Sequence, residues 1–134
     1  MRKSTIRFIE DELFHYDKNL KEIQRIKTDI YDESPNPPDG MPRGTDTSNP
    51  TENKVMRILT TKQILSLENR LLAIRKVINR YQDNPIMSQL IKLRYFDKTK
   101  TPTGIMLELN ISQATFYRYR AILLEDIGNE LGLL

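Results

Sequence analysis

The chain has no cysteine, which excludes disulfides, Cys-based zinc sites and thiol catalysis. Histidine occurs once, at His15, so a zinc site would need several carboxylates converging on one imidazole, and no spacing here suggests that. Glycine is scarce, with 5 in 134 residues, and none of them builds a phosphate-cradling loop. No apolar run approaches the roughly 20 residues that a membrane span requires. The opening Met1-Arg2-Lys3-Ser4 leads into mixed charge instead of an apolar signal region, so the expected setting is cytoplasmic, with no membrane partner. Glu10-Asp11-Glu12 gathers three carboxylates, yet consecutive helical residues point in different directions, and a solvated helix face is the expectation. The expected protein is therefore not an enzyme: no catalytic residue, metal site or cofactor is assigned.

Proline and glycine are also absent before Pro35, which allows one long helix from about Ser4 to Tyr31. Along it Ile6, Ile9, Leu13, Tyr16, Leu20, Ile23 and Ile30 follow three- and four-residue steps, a heptad seam broken only at Lys27. His15 falls between seam positions and belongs on the surface. A second seam runs through Ile64, Leu67, Leu71, Ile74, Ile78 and Tyr81, preceded by Val55, Ile58 and Leu59. Between the seams, a linker at 32–51 carries most of the prolines and cannot be regular helix. Two exposed apolar stripes must find partners, either each other in an antiparallel hairpin or a second copy in a homodimer. Hairpins that dimerise through these helices are the favoured arrangement, since a two-fold protein suits two half-sites.

From residue 84 the pattern changes. Asn84-Pro85 reads as a cap and first position of a helix carrying Ile86, Leu90 and Leu93. Thr101-Pro102 starts another, which Asn110 ends by tolerating the left-handed conformation, and Ser112 caps a third. Helix, tight turn and helix, with a supporting helix behind, make a helix-turn-helix whose last helix is free to enter a DNA major groove. The expected fold is all-α: long N-terminal heptad helices over 1–83, then a three-helix DNA-binding unit over 84–134.

The wheel of the last helix sorts its residues. Phe116, Tyr119, Leu123 and Ile127 fall on one side, the expected core. Gln113, Ala114, Tyr117, Arg118 and Ala121 fall on the other, and no acidic residue occurs from Gln113 to Leu124. Gln pairs bidentately with adenine, Arg with guanine, and Ala touches a thymine methyl. Gln113, Ala114, Tyr117 and Arg118 are thus expected to read bases, with Ser112, Thr115 and Arg120 contacting the backbone. Arg120 lies near the buried side, and its stem is expected to follow the core while the guanidinium reaches outward to a phosphate.

The run Leu90 to Phe96, the helix to Leu109, and Ile111-Ser112 through Arg118 resemble the DNA-binding fourth region of bacterial sigma factors. The N-terminal Ser4-Thr5-Ile6-Arg7-Phe8-Ile9-Glu10-Asp11-Glu12-Leu13 and the closing Glu130-Leu131-Gly132 further resemble RinA/ArpU-type phage late transcriptional regulators. That resemblance implies sequence-specific DNA binding that activates late genes for packaging and assembly in phages of low-GC Gram-positive bacteria. Two positions depart from the pattern. Met106 stands where such motifs place Ala, and Gly104 weakens a short helix by roughly 1 kcal/mol relative to Ala.

Charge adds a weaker argument. The net charge is only +3, but Lys54, Arg57, Lys62, Arg70, Arg75, Lys76 and Arg80 outnumber Glu52, Glu68 and Asp83, beside an acidic linker. Such a basic helix either steers a polyanion or is simply a solvated face. Three functions stand: a DNA-binding transcription activator, nucleoid-associated in a bacterial host; a DNA-recognition subunit of a packaging machinery; or an adaptor docking on RNA polymerase. The expected partners are double-stranded DNA, host RNA polymerase and a second copy of the chain.

Overall fold

The computed structural model describes residues 1–32 and 50–134, with side chains at 30–32, 50–56, 58 and 59 excepted. The chain is all-α, as the periodicities predict. Its helices are α1 (Lys3–Phe14), α2 (Tyr16–Asp32), α3 (Pro50–Arg80), α4 (Pro85–Ile91), a π-helical segment (Lys92–Asp97), α5 (Pro102–Leu109) and α6 (Gln113–Glu130). The proline-rich linker lies outside the described residues, apart from the helix ends that flank it. So do the side chains of Ile30, Val55, Ile58 and Leu59.

The single long N-terminal helix is interrupted. His15 adopts φ −103° and ψ 14°, and its backbone N–H donates to the Asp11 carbonyl at 3.0 Å. Its ring Nδ1 donates to that same carbonyl at 2.7 Å, a side-chain bond that competes with continued helix. Of the seam positions, Ile9, Leu13 and Ile23 are buried, whereas Leu20, beyond the break, is 41% exposed. His15 itself is exposed, where the seam put it.

Two compact units result, and their boundary differs from the expected division at 84. One comprises Met1–Asp17 together with Arg70–Leu134; the other is Lys18–Asn69. In the second unit Ile23 and Ile64 are buried, and Lys27 pairs with Glu68. In the first, α1 supplies Ile9 and Leu13 and α3 supplies Ile74 and Val77 to the same core as Met87, Leu90, Leu93, Tyr95, Ile105, Phe116, Leu123 and Ile127. Part of the seam assigned to a hairpin or a dimer is therefore occupied within this unit, by the helix-turn-helix. The assigned core positions shift by one residue twice: Val77 is fully buried while Ile78 is half-buried, and Met87 takes the place given to Ile86.

Local chemistry sets the helix ends. The Asn84 side chain accepts from the Met87 N–H at 3.1 Å, with Pro85 at the first helical position. The π-helical segment has no equivalent sequence signal. It stops at Lys98, in the left-handed region at φ 57°, and the Lys98 ammonium donates to the Phe14 carbonyl of α1. At the other end of the unit, Gly128 lets α6 approach its neighbours closely: a Cβ there would lie 3.3 Å from Ile9 Cδ1 and 3.0 Å from Leu134 Cδ1. Gly132, at φ 75°, then closes α6, with its N–H donating to Asn129 O and that of Leu133 to Gly128 O, the paired bonds of a Schellman cap. Around α6, Tyr81 donates its hydroxyl to Asp126, and Arg80 and Lys76 both pair with Glu130. Burial first, and then the Asp126 carboxylate, push the Tyr81 hydroxyl up to about 12. Three of the seven basic residues of α3 are thus paired with acids in this unit, the third being Arg70, which Glu12 faces at 3.5 Å.

Candidate nucleic-acid interface

The helix-turn-helix is assembled from α5, α6 and the turn between them. Thr101 caps α5 by accepting from the Gly104 N–H at 3.1 Å, and Pro102 opens the helix. Asn110 sits at φ 54° and ψ 49°, the left-handed conformation expected of it. Its N–H donates to Leu107 O at 3.3 Å, and the Ile111 N–H to Met106 O at 3.0 Å, so the turn is itself a Schellman cap. The same motif brings the flanking Met106 and Ile111 onto the core. Met106 is accommodated here by its position in the cap. Because only Gly and Asn enter this region readily, Asn110→Val should cost about 1–2 kcal/mol, while Asn110→Gly should be near neutral. Thermal melts of the two variants check this; equal losses would mean that the turn conformation is not what Asn110 provides.

Ser112 caps α6, accepting from the Thr115 N–H at 3.1 Å while its hydroxyl donates to Thr115 Oγ1 at 2.9 Å. The faces of α6 then fall as the wheel sorts them. Phe116, Leu123 and Ile127 are fully buried and Tyr119 is partly buried, whereas Gln113, Ala114, Tyr117, Arg118 and Ala121 are exposed. Tyr117 stands edge-on to Phe116 at 5.1 Å between ring centroids, and the Arg118 guanidinium lies 5.8 Å from the Tyr119 ring centre. The outer surface of the first two turns therefore offers an amide, a methyl, a phenol and a guanidinium.

Arg120 departs from its expected role. Its guanidinium turns inward, and Nε donates to Glu10 Oε1 at 2.5 Å. That oxygen also accepts from the Tyr95 hydroxyl at 3.0 Å and from Arg94 Nη2 at 3.4 Å. Arg94 is in turn surrounded by aromatic rings, with its Cζ 5.6 Å from the Phe14 ring centre, 5.5 Å from that of Tyr95 and 5.8 Å from that of Phe116. Burial works to raise the Glu10 carboxyl; the Arg120 hydrogen bond and charge, the Arg94 charge and the Tyr95 hydrogen bond outweigh it and hold it below the usual carboxylate range. Burial, followed by the Glu10 charge, pushes the Tyr95 phenol up. Glu10 is therefore an internal anion, and Glu12 is also partly buried; only Asp11 of the three consecutive acids is exposed.

Glu10, Arg94 and Tyr95 are the residues that sequence reasoning missed. A signal existed: Arg120 near the buried side of α6, and Arg94 between the apolar Leu93 and Tyr95, each call for a buried anion. The sequence does not say which acid supplies it.

Among the described residues, no group of three or more His, Asp or Glu side chains is placed to hold a metal, and no helix is long and apolar enough to cross a membrane. A family model described as "Protein of unknown function (DUF722)" matches residues 1–129. The chain belongs to the DUF722 family. No curated protein and no solved structure matches it. In this DUF722 chain the family match spans α1 through nearly all of α6, so it includes both the outer face of α6 and the Glu10 cluster beneath it.

Proposed function

We propose that this DUF722 protein is a sequence-specific DNA-binding transcriptional regulator that acts at the nucleoid of a bacterial host. The observation that carries the reading is the exposed face of α6, where Gln113, Ala114, Tyr117 and Arg118 stand clear of the core directly after a capped, left-handed turn. A helix presented this way fits the major groove, and its four side chains match groups on base edges. Gln113 pairs with an adenine, Arg118 with a guanine, and Ala114 lies against a thymine methyl, with Tyr117 beside them. Ser112 and Thr115, at the helix N-terminus, position the DNA backbone. Arg120 has no part in phosphate contact in this proposal, since its guanidinium is committed to Glu10. The role of activator of phage late packaging and morphogenesis genes rests on the likeness of both chain ends to RinA/ArpU-type regulators.

Footprinting on a late promoter region, followed by titration of the protected duplex at several salt concentrations, tests the proposal. Binding should weaken steeply with salt as counterions return to the DNA. Arg118→Ala should cost roughly 1–3 kcal/mol of affinity, about 5- to 150-fold, without altering the thermal melt. Wild-type affinity in that variant at the same salt would remove Arg118 from the reading face. A protein that protects no sequence and shows no salt-dependent DNA binding would defeat the reading as a whole.

A further inference from the structure

We infer that Glu10 is a positioning residue for DNA readout: from α1 it fixes the rotation of α6 through Arg120 and so aims Gln113, Tyr117 and Arg118. The inference rests on the DNA-binding reading above.

One carboxylate oxygen collects donors from two elements, Arg94 and Tyr95 of the π-helical segment and Arg120 of α6, while the carboxylate itself belongs to α1. The side chains of Glu10, Arg94 and Arg120 are 14%, 16% and 23% exposed, so little water competes for these bonds. Rings on three sides hold Arg94 in place, which makes the site a fixed reference point for α6. Arg120 follows Arg118 by two residues and Tyr117 by three, so any rotation of α6 that strains its bond to Glu10 also moves the reading side chains. Reading side chains must be held within about 0.5 Å and 10–20° to make bidentate contacts, and a short charge-assisted bond supplies that restraint. Phosphate attraction does not depend on such aim, which lets the two roles be separated.

The test uses the full chain and measures the affinity ratio between the footprinted duplex and a scrambled duplex of equal length across a salt series. Glu10→Gln and Arg120→Gln should each lower that ratio by about 10-fold, and the double variant should be no worse than either single one. The slope of log affinity against log salt should stay as in wild type. Tyr95→Phe, which removes only one hydroxyl bond, should lower the ratio by about 3-fold with little effect on folding. A slope that flattens by about one phosphate for Arg120→Gln would make Arg120 a DNA-backbone contact and overturn the inference. Equal losses on both duplexes, tracking a lower melting temperature, would overturn it as well, because they report only fewer folded molecules. Amide hydrogen exchange in free protein supplies an arm that does not need DNA: Glu10→Gln and Arg120→Gln should accelerate exchange along α6 to the same degree. Unchanged exchange sinks the clamp even where DNA binds. Accelerated exchange in a protein that binds no DNA leaves the clamp standing and removes the DNA reading, together with any role for the clamp in readout.

Discussion

Phe116→Ala should destabilise the unit formed by residues 1–17 and 70–134 by about 3–5 kcal/mol, through lost burial and an unfilled cavity. Phe116 has no exposed surface and shares its core with α1, α3, α4, α5 and the π-helical segment, so no single neighbour can move to fill the space. The ring also provides one of three aromatic faces around the Arg94 guanidinium, and its loss loosens the charge cluster as well as the core. For a unit of this size each kilocalorie per mole shifts the midpoint by roughly 4–8 °C, so the melt should fall by tens of degrees. Calorimetry or circular dichroism will show it. DNA binding should disappear in parallel with folding. If the melt is unchanged and only DNA binding is lost, Phe116 faces the nucleic acid and the two sides of α6 have been exchanged.

What the sequence made legible was whatever depends on neighbours within a few residues. The caps at Asn84, Thr101 and Ser112 and the left-handed Asn110 each follow from one side chain and the backbone beside it, and the structure has all four. Helical spacing likewise separated Phe116, Leu123 and Ile127 from Gln113, Tyr117 and Arg118. Non-local pairings were hidden. Glu10 lies 110 positions from Arg120, and a run of three acids near the N-terminus reads more simply as solvated surface. The π-helical segment was invisible for a related reason: nothing in Lys92-Leu93-Arg94-Tyr95-Phe96-Asp97 distinguishes a widened turn from an ordinary one, and tertiary contacts of Arg94 and Tyr95 with Glu10 accompany it. His15 shows the same limit at shorter range, since a histidine can sit inside a helix or, as here, interrupt it by bonding to Asp11 O. Asn84-Pro85 was correctly placed as a helix start, but a helix start is a local event and a domain boundary is a matter of packing.

That distinction yields the second large effect: a fragment of residues 84–134, although it contains every element of the helix-turn-helix, should not fold on its own. It lacks Ile9 and Leu13 from α1 and Ile74 and Val77 from α3, all fully buried against the remaining core. Burial of each such side chain contributes roughly 1.5–3 kcal/mol, so the four together supply on the order of 6–12 kcal/mol, comparable with the whole stability of an ordinary domain. The fragment also loses Glu10, which leaves Arg94 and Arg120 without the carboxylate between them. Gly128 faces the same deficit, since the space kept open by its missing side chain would no longer be filled by Ile9. The fragment should therefore show weak helical dichroism, no cooperative thermal transition and no discrimination between the footprinted and scrambled duplexes, whereas the full chain should show strong dichroism, a cooperative melt and discrimination. Adding α1 alone should not suffice, because Ile74 and Val77 would still be missing; a chain that joins residues 1–17 to 70–134 through a flexible linker should melt cooperatively. A fragment 84–134 with a sharp melt and native helicity would mean that α1 and α3 merely rest on a self-sufficient DNA-binding domain, and the core they share with it would contribute little to its folding.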